Sequence, residues 1–397
     1  MLKDYIKKER DYIVTMRRYF HMHPEPGLHE FNTAKTIERE LDSFGIPHER
    51  VGDTGVYAFI DGTKPCGKDE KRRVIALRAD IDALPMKDLK SCEYSSQNDG
   101  YCHACGHDGH TATLLAAAKV LKEKENEFSG RVKLFFQQAE EIGAGAKLFV
   151  KAGLLKDVGR VYGTHVCPKL KAGTISLTPG PMNASCDYFK ISIKGKGAHV
   201  STPELGKDAL YIASQTVNAL QSIVSRGTSP TDTVIVGVGR LEAGTSYNIV
   251  AEDAVLEGTT RAFSHESRER TNRRVREIAE GTASMFEAEA KVEFKDYAAP
   301  LINDTEAVRE VSLIAERLIP KKCIIHDQEK ALVADDFADY LAETKGMYAF
   351  LGTQNDRNPN TAVAQHNGHF DIDEDALLLS CNIYVDYALA YLSGEFE

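Results

Sequence analysis

Cys102, His103, Cys105, His107, Asp108 and His110 fall within nine consecutive residues, with Gly106 and Gly109 among them. Thiolate, imidazole and carboxylate are side-chain ligands of transition metals, and glycine lets a backbone turn sharply enough for several to face one point. Cys105 and His107 are two residues apart, which suits an irregular turn better than a helix face. A thiolate or a carboxylate has lone pairs enough to bridge two cations. His103 and His110 could equally be ligands, groups behind the ligands, or hydrogen-bonders at a helix start. Cys102 is left out of the candidate set.

Three further groups extend the chemistry. Glu140 and Glu141 follow the apolar run Arg131–Gln137 and precede Gly143 and Gly145. Adjacent residues leaving a strand point in different directions, so one carboxylate can bind a cation while the other faces water. A Lewis acid beside a proton-accepting carboxylate is what metal-assisted hydrolysis requires. His165 closes the run Arg160–His165. His366 stands in Gln365-His366-Asn367-Gly368-His369, where the surroundings do not choose between it and His369.

These groups need elements that bring them together. Val74–Asp80, Arg131–Gln137 and Arg160–His165 read as buried strands, and each delivers a polar group at its carboxyl end: Asp80, the Glu140–Glu141 pair and His165. Helical spacing is predicted for Asp4–His21, Glu30–Phe44 and Thr111–Lys124, with His21 to Gly27 breaking the first two apart. In an open α/β sheet the binding crevice lies outside the carboxyl ends of the strands, so residues distant in sequence can meet there. The pattern changes near residue 185. Strand-like Tyr188–Gly195, a helix over Lys207–Val224, strands Thr233–Leu241 and Ala254–Ala262, a helix over Ser267–Glu287 and strand-like Ala290–Phe294 give the split βαβ order β-α-β-β-α-β. After Pro300 the alternation resumes, with Tyr348–Leu351 as a returning strand. The expected organisation is an α/β domain over 1–184 and 298–397, interrupted by an α+β domain over 185–297.

Bulk properties narrow the function classes. A chain of 397 residues exceeds one ordinary domain. Its formal net charge of -10 argues against general nucleic-acid binding, which needs clustered Lys and Arg. No run reaches the roughly 20 apolar residues of a membrane span, and the charged start Met1–Arg10 has no signal-peptide core. The eight cysteines read as reduced thiols in a cytoplasmic protein; those outside the motif (Cys66, Cys92, Cys167, Cys186, Cys323 and Cys381) read mostly as small buried groups.

Five motifs in order resemble the M20 metallopeptidase family: Arg78-Ala79-Asp80-Ile81-Asp82-Ala83-Leu84-Pro85, His103 to His110, Ala139-Glu140-Glu141, Thr164-His165-Val166 and His366 to Phe370. The chain is most similar to the amidohydrolase branch, with its hippurate hydrolases, N-acyl-amino-acid deacylases and auxin-conjugate hydrolases. The resemblance implies two divalent metal ions (Zn, Mn, Co or Ni) held by Cys105, His107, Glu141, His165 and His366, with Glu140 as general acid and base. It implies a Zn-exopeptidase-like catalytic domain and a ferredoxin-like insert that serves as lid and homodimer interface. Within that insert, His199 matches a residue supporting the reaction intermediate, and Asn248 and Arg261 match positions contacting the substrate carboxylate or oxyanion.

Some positions depart from the family. Other branches have a histidine ligand where this chain has Arg78, so Asp80 is assigned to orientation rather than ligation. Gln138 stands where the branch has proline, and Asn367-Gly368-His369 replaces a Ser-Pro-Tyr/Phe type of sequence. The expected reaction is hydrolysis of an N-acyl or N-aroyl amino acid, a small-molecule substrate. A dipeptidase or aminoacylase on the same site, and a metal-binding homologue without catalysis, are the competing readings. A structural zinc protein would need a second Cys-x-x-Cys pair, which the sequence lacks.

Overall fold

Apolar runs separated by helical segments produce, in chain order, strands β1 (His48–Val51), β2 (Gly55–Asp61), β3 (Val74–Asp80), β4 (Arg131–Gln137), β5 (Arg160–Lys171) and β6 (Ile175–Ser176). The chain continues through β7 (Gly180–Asn183), β8 (Cys186–Lys194), β9 (Ala198–His199), β10 (Val234–Ala243), β11 (Ile249–Val250), β12 (Asp253–Ala262), β13 (Glu289–Ala298) and β14 (Leu301–Asn303). It ends its strand set with β15 (Ile324–Ile325) and β16 (Gly346–Gln354). This computed structural model describes residues 2–65 and 73–396, so Cys66 lies outside the described residues.

The chain divides into two units. The first comprises Met1–Gly180, Asn303–Glu329 and Asp335–Glu397; the second comprises Pro181–Ile302 with Lys330–Ala334. The first is built on an eight-stranded sheet of order β1-β2-β4-β3-β5-β16-β6-β15. Its centre, β4-β3-β5-β16, is parallel, so these strands deliver their carboxyl ends to one edge. Register makes the placement specific. Asp80 lies opposite Gln137, and Arg78 opposite Gly163, which sets Asp80 level with His165.

Helices cover this sheet and bury its apolar side chains, among them Ile75, Leu77, Val132, Leu134 and Phe136. The helix His107–Glu123 is buried along almost its whole length. Its Ala116-Ala117-Ala118 run is fully buried, and small side chains there let Arg10–Met22 and Leu377–Ser393 pack close against it. The segment Glu374–Ser393 has the length and apolar character of a membrane span, contrary to the sequence expectation. Some 78% of that span is buried, as in a core helix.

Three departures from the expected boundaries stand out. The first helix is two, Asp4–Lys7 and Arg10–Met22; between them the buried Glu9 takes a hydrogen bond from Lys119 Nζ. The helix after the cysteine–histidine motif starts at His107, not Thr111. Gly106, at φ +94°, turns the chain, and Asp108 sets a carboxylate in the first turn, where the helix dipole favours it. Strand β5 runs past His165 to Lys171.

The second unit carries a four-stranded antiparallel sheet of order β10-β12-β8-β13. Its helices, Ala209–Ser225 and His265–Met285, are capped by the side chains of Asp208 and Ser264. This is the split βαβ arrangement. Phe189, Ile191, Ile212, Leu220, Leu256 and Val275 belong to a core of its own.

Candidate metal centre

Gly106 forms the turn that separates Cys105 from His107. A Cβ there would stand 2.3 Å from Val166 Cγ2, so both its left-handed φ and the close approach of β5 call for glycine. His107 then opens the helix, and its Nδ1 donates to the Asp82 backbone carbonyl at 2.9 Å. That bond fixes the tautomer and turns Nε2 inward. His107 Nε2 is buried without a hydrogen-bond partner, as is Glu141 Oε1, 3.8 Å away. Glu140 Oε2 lies 3.9 Å from the same Nε2. Cys105, His107 and Glu141 form one potential ligand group.

The other two predicted ligands extend this group. His165 donates from Nδ1 to the Val166 carbonyl at 2.8 Å, leaving Nε2 3.5 Å from Cys105 Sγ. His366 Nε2 is 3.5 Å from Glu141 Oε2. Cys105 and Glu141 therefore each connect two of the remaining donors. His366 is the least enclosed of the five and adopts φ +59°, a left-handed conformation costly outside glycine and Asn. His369 is exposed, and among the described residues no bond ties it to this group.

Behind the ligands stands a carboxylate-rich shell. Asp80 offers Oδ1 to His110 Nδ1 and Oδ2 to Arg78, both at 2.6 Å. With both oxygens engaged it orients its neighbours, and His110 in turn accepts the Val166 amide on Nε2 at 3.0 Å. Asp82 was not singled out from sequence, yet it accepts the Glu141 amide at 3.0 Å and lies 3.3 Å from His107 Nδ1. The signal was available, because Asp80 and Asp82 are two apart in an extended segment. Asp335 and Asp336, which cluster with Glu140, carried no such signal. Arg78 lies between Asp80 and Asp336 (3.1 Å) and donates to Gln137 at 2.8 Å.

The rest of the motif turns elsewhere. Cys102 belongs to a separate buried group with His21 and Asp88, and Lys90 Nζ is 2.9 Å from Asp88. His103 is buried with neither ring nitrogen paired, and burial pushes its pKa down to about 3.

The charges of the cluster favour cations. Burial raises the Glu140 carboxyl well above its usual range, with Asp335 and Glu141 adding to it, and burial pushes Glu141 up to about 7. Burial raises the Cys105 thiol, and Glu141 and Glu140 raise it further. Burial opposes charge on His107, but Asp80, Asp82 and Glu141 outweigh it and lift the pKa to about 10. Burial and His110 hold His165 well below its ordinary value. An excess of carboxylates around orphaned nitrogen and oxygen atoms is relieved by cations, and a coordinated thiol loses its proton. The cluster is able to hold two metal ions, and its mixed sulfur, nitrogen and oxygen donors suit Zn, Mn, Co or Ni.

His199, Asn248 and Arg261 all lie in the second unit. His199 pairs with Ile249 in the β9–β11 ladder, and the Asn248 carbonyl accepts the Val200 amide at 3.1 Å. Arg261, on β12, donates to the Leu332 carbonyl at 3.4 Å.

Residues 76–390 match the family model described as peptidase family M20/M25/M40. An N-acetyl-L-cysteine deacetylase of Bacillus subtilis is 38% identical over 386 residues, spanning 97% of this chain and 89% of that one. A hippurate hydrolase of Campylobacter jejuni is 36% identical over 381 residues, spanning 95% and 96%. Among solved structures, a dinuclear metal-binding peptidase of the M20 family from Bacillus subtilis superposes with a TM-score of 0.82 at 34% identity, over 98% of this chain and 99% of the other.

Proposed function

The chain belongs to peptidase family M20/M25/M40 and is a metal-dependent amidohydrolase; from that premise we propose that it hydrolyses N-acyl or N-aroyl amino acids to a carboxylic acid and a free amino acid. The observation that carries this reading is the buried Glu140 carboxyl set beside His107, Glu141 and Cys105. Relatives named for N-acetylcysteine and for hippurate support the substrate class.

Cys105, His107, Glu141, His165 and His366 would hold the two metal ions. Bound there, the ions would polarise the scissile carbonyl and lower the pKa of a water. Glu140 takes one proton from the attacking water as the new C–O bond forms. It returns that proton to the amide nitrogen as the C–N bond breaks. A carboxyl held well above its ordinary range by burial, with Asp335 and Glu141 adding to the shift, is a stronger base than an exposed carboxylate and suits taking up the proton before passing it on. Asp80 and Asp82 orient His110 and His107. In the second unit, His199, Asn248 and Arg261 supply polar contacts for the substrate's oxyanion and carboxylate.

Pairing of two chains through the second unit completes the reading. It is supported by the exposed apolar residues Val200, Leu210, Tyr247 and Ile249, which line one shallow cleft. Free thiols, Cys105 among them, fit a reducing cytoplasmic setting.

A panel of N-acetyl amino acids, N-benzoyl amino acids and free dipeptides, assayed with the metal-loaded protein, tests the substrate class. Turnover of the first two groups is expected, and turnover confined to free dipeptides would overturn it in favour of a dipeptidase. Glu140→Gln is expected to keep fold and metals yet lose about 10²–10⁴-fold in kcat. Full activity in that variant would remove Glu140 from the role.

A further inference from the structure

The segment between the first long helix and Phe31–Phe44, containing Pro24 to Glu30, holds none of the groups used so far, yet it lies against the back of the site. Ala83 N donates to the Glu25 carbonyl at 2.8 Å, and Pro26 bridges to Ala83. A Cβ on Gly27 would stand 3.2 Å from Ala139 Cα and 3.4 Å from Asp82 Oδ2. Glu30 ends the segment with a fully buried side chain. Its Oε1 accepts the Ala139 amide at 2.8 Å, and its Oε2 accepts the Thr54 hydroxyl at 2.7 Å.

Ala139 is the residue before Glu140, and it has φ +54°. A left-handed alanine costs on the order of 1–2 kcal/mol and persists only where the surroundings impose it. The imposition is visible on both sides of Glu140: Glu30 holds the amide before it, and Asp82 holds the Glu141 amide after it. The peptide carrying Glu140 is thus clamped between two buried carboxyls. Asp82 is tied to the ligand His107 as well, whereas the hydrogen bonds of the Glu30 carboxyl go to the Ala139 amide and the Thr54 hydroxyl, neither of them a metal ligand.

We propose that Glu30 is a positioning residue for Glu140: by fixing the Ala139 amide it sets the direction in which the Glu140 side chain projects from the turn after β4. The proposal rests on the reading of Glu140 as the proton carrier. Glutamine at this position can do the same, accepting the Ala139 amide on its carbonyl oxygen while its NH2 donates to the Thr54 hydroxyl. Alanine cannot, and aspartate is one methylene too short.

The test uses the metal-loaded full chain and two readouts. The first is amide exchange across 138–142, with β4 as internal reference. Glu30→Ala is expected to speed exchange of 138–142 by about tenfold or more while β4 stays protected, and Glu30→Gln is expected to match the parent chain. Should Glu30→Ala not fold, Glu30→Asp carries the same expectation. The second readout is turnover of an N-acyl amino acid. Glu30→Ala should lose about 10²-fold in kcat, with KM within about threefold and both metals retained by elemental analysis. Thr54→Val, which leaves the Ala139 bond in place, should keep kcat within about threefold of the parent. Unchanged exchange at 138–142, or Glu30→Gln no better than Glu30→Ala, would overturn the proposal. So would a Thr54→Val loss as large as that of Glu30→Ala. An inactive parent chain would sink the substrate reading alone, and the exchange experiment would still decide for or against the clamp.

Discussion

Burial raises the Glu30 carboxyl from its ordinary 4.5 to about 7, with Asp82 adding to the shift. Between those values the folded protein keeps a proton that the unfolded chain has lost, so stability falls as pH rises through that window and levels off above it. A shift of this size corresponds to about 3 kcal/mol. Glu30→Gln has nothing to ionise. Its stability relative to the parent should therefore improve by up to about 3 kcal/mol between pH 4.5 and pH 8, measured by urea unfolding. A difference independent of pH would show that Glu30 does not titrate this way. Arg78 makes the opposite case, a permanent charge buried among carboxylates. Arg78→Met leaves Asp80 and Asp336 without their cation, and a broken buried pair costs about 3–5 kcal/mol. Arg78→Lys keeps the charge but not the fork that reaches Asp80, Gln137 and Asp336 together, so thermal melting should rank it between the parent and Arg78→Met.

The elements were legible where composition and period agreed. Val74–Asp80 and Arg131–Gln137 are strands as the sequence predicts, because a continuous apolar run between polar breaks has few other ways to be buried. The start of the buried helix was not legible, since His107-Asp108-Gly109 are weak helix formers and the geometry comes from Gly106 packed on Val166. The metal-ligand motifs could be read because soft donors are rare and conspicuous. Glu30, Asp335 and Asp336 could not, because a carboxylate in the sequence looks the same whether it faces water or braces a peptide 109 residues away. Gly106 gives the element-scale prediction. Gly106→Ala combines a left-handed φ with a clash at Val166, so it should destabilise the first unit by more than the 1–2 kcal/mol of the backbone term alone. Adding Val166→Ala should recover the clash and leave the backbone part, read as two steps in melting temperature. Equal stability of the single and double variants would remove the clash from the account.

Two cores, one per unit, mean that the molecule need not melt as one. Calorimetry is expected to resolve two transitions, and chelation should lower only the one belonging to the unit with Cys105 and His107, since a cation stabilises the state that binds it. A single transition that moves as a whole would join the units thermodynamically. Sedimentation is expected to give twice the 43.8 kDa chain mass, and Ile249→Arg, in the exposed cleft of the second unit, should shift it toward the monomer. The same division sets an order of events on the ribosome. All four strands of the second unit's sheet lie between Cys186 and Ala298, so that sheet can form while the C-terminal part of the first unit is still unmade. Residues 303–397 then take roughly 5–20 s at ordinary synthesis rates. During that interval β16, His366 and the helix Leu377–Ser393 do not yet exist, and Cys105, His107, Glu141 and His165 wait without the fifth member of the set. The incomplete ligand set is open to oxidation and stray metals in those seconds, and a ribosome stalled there would hold the second unit's sheet without Lys330–Ala334, and a site lacking His366.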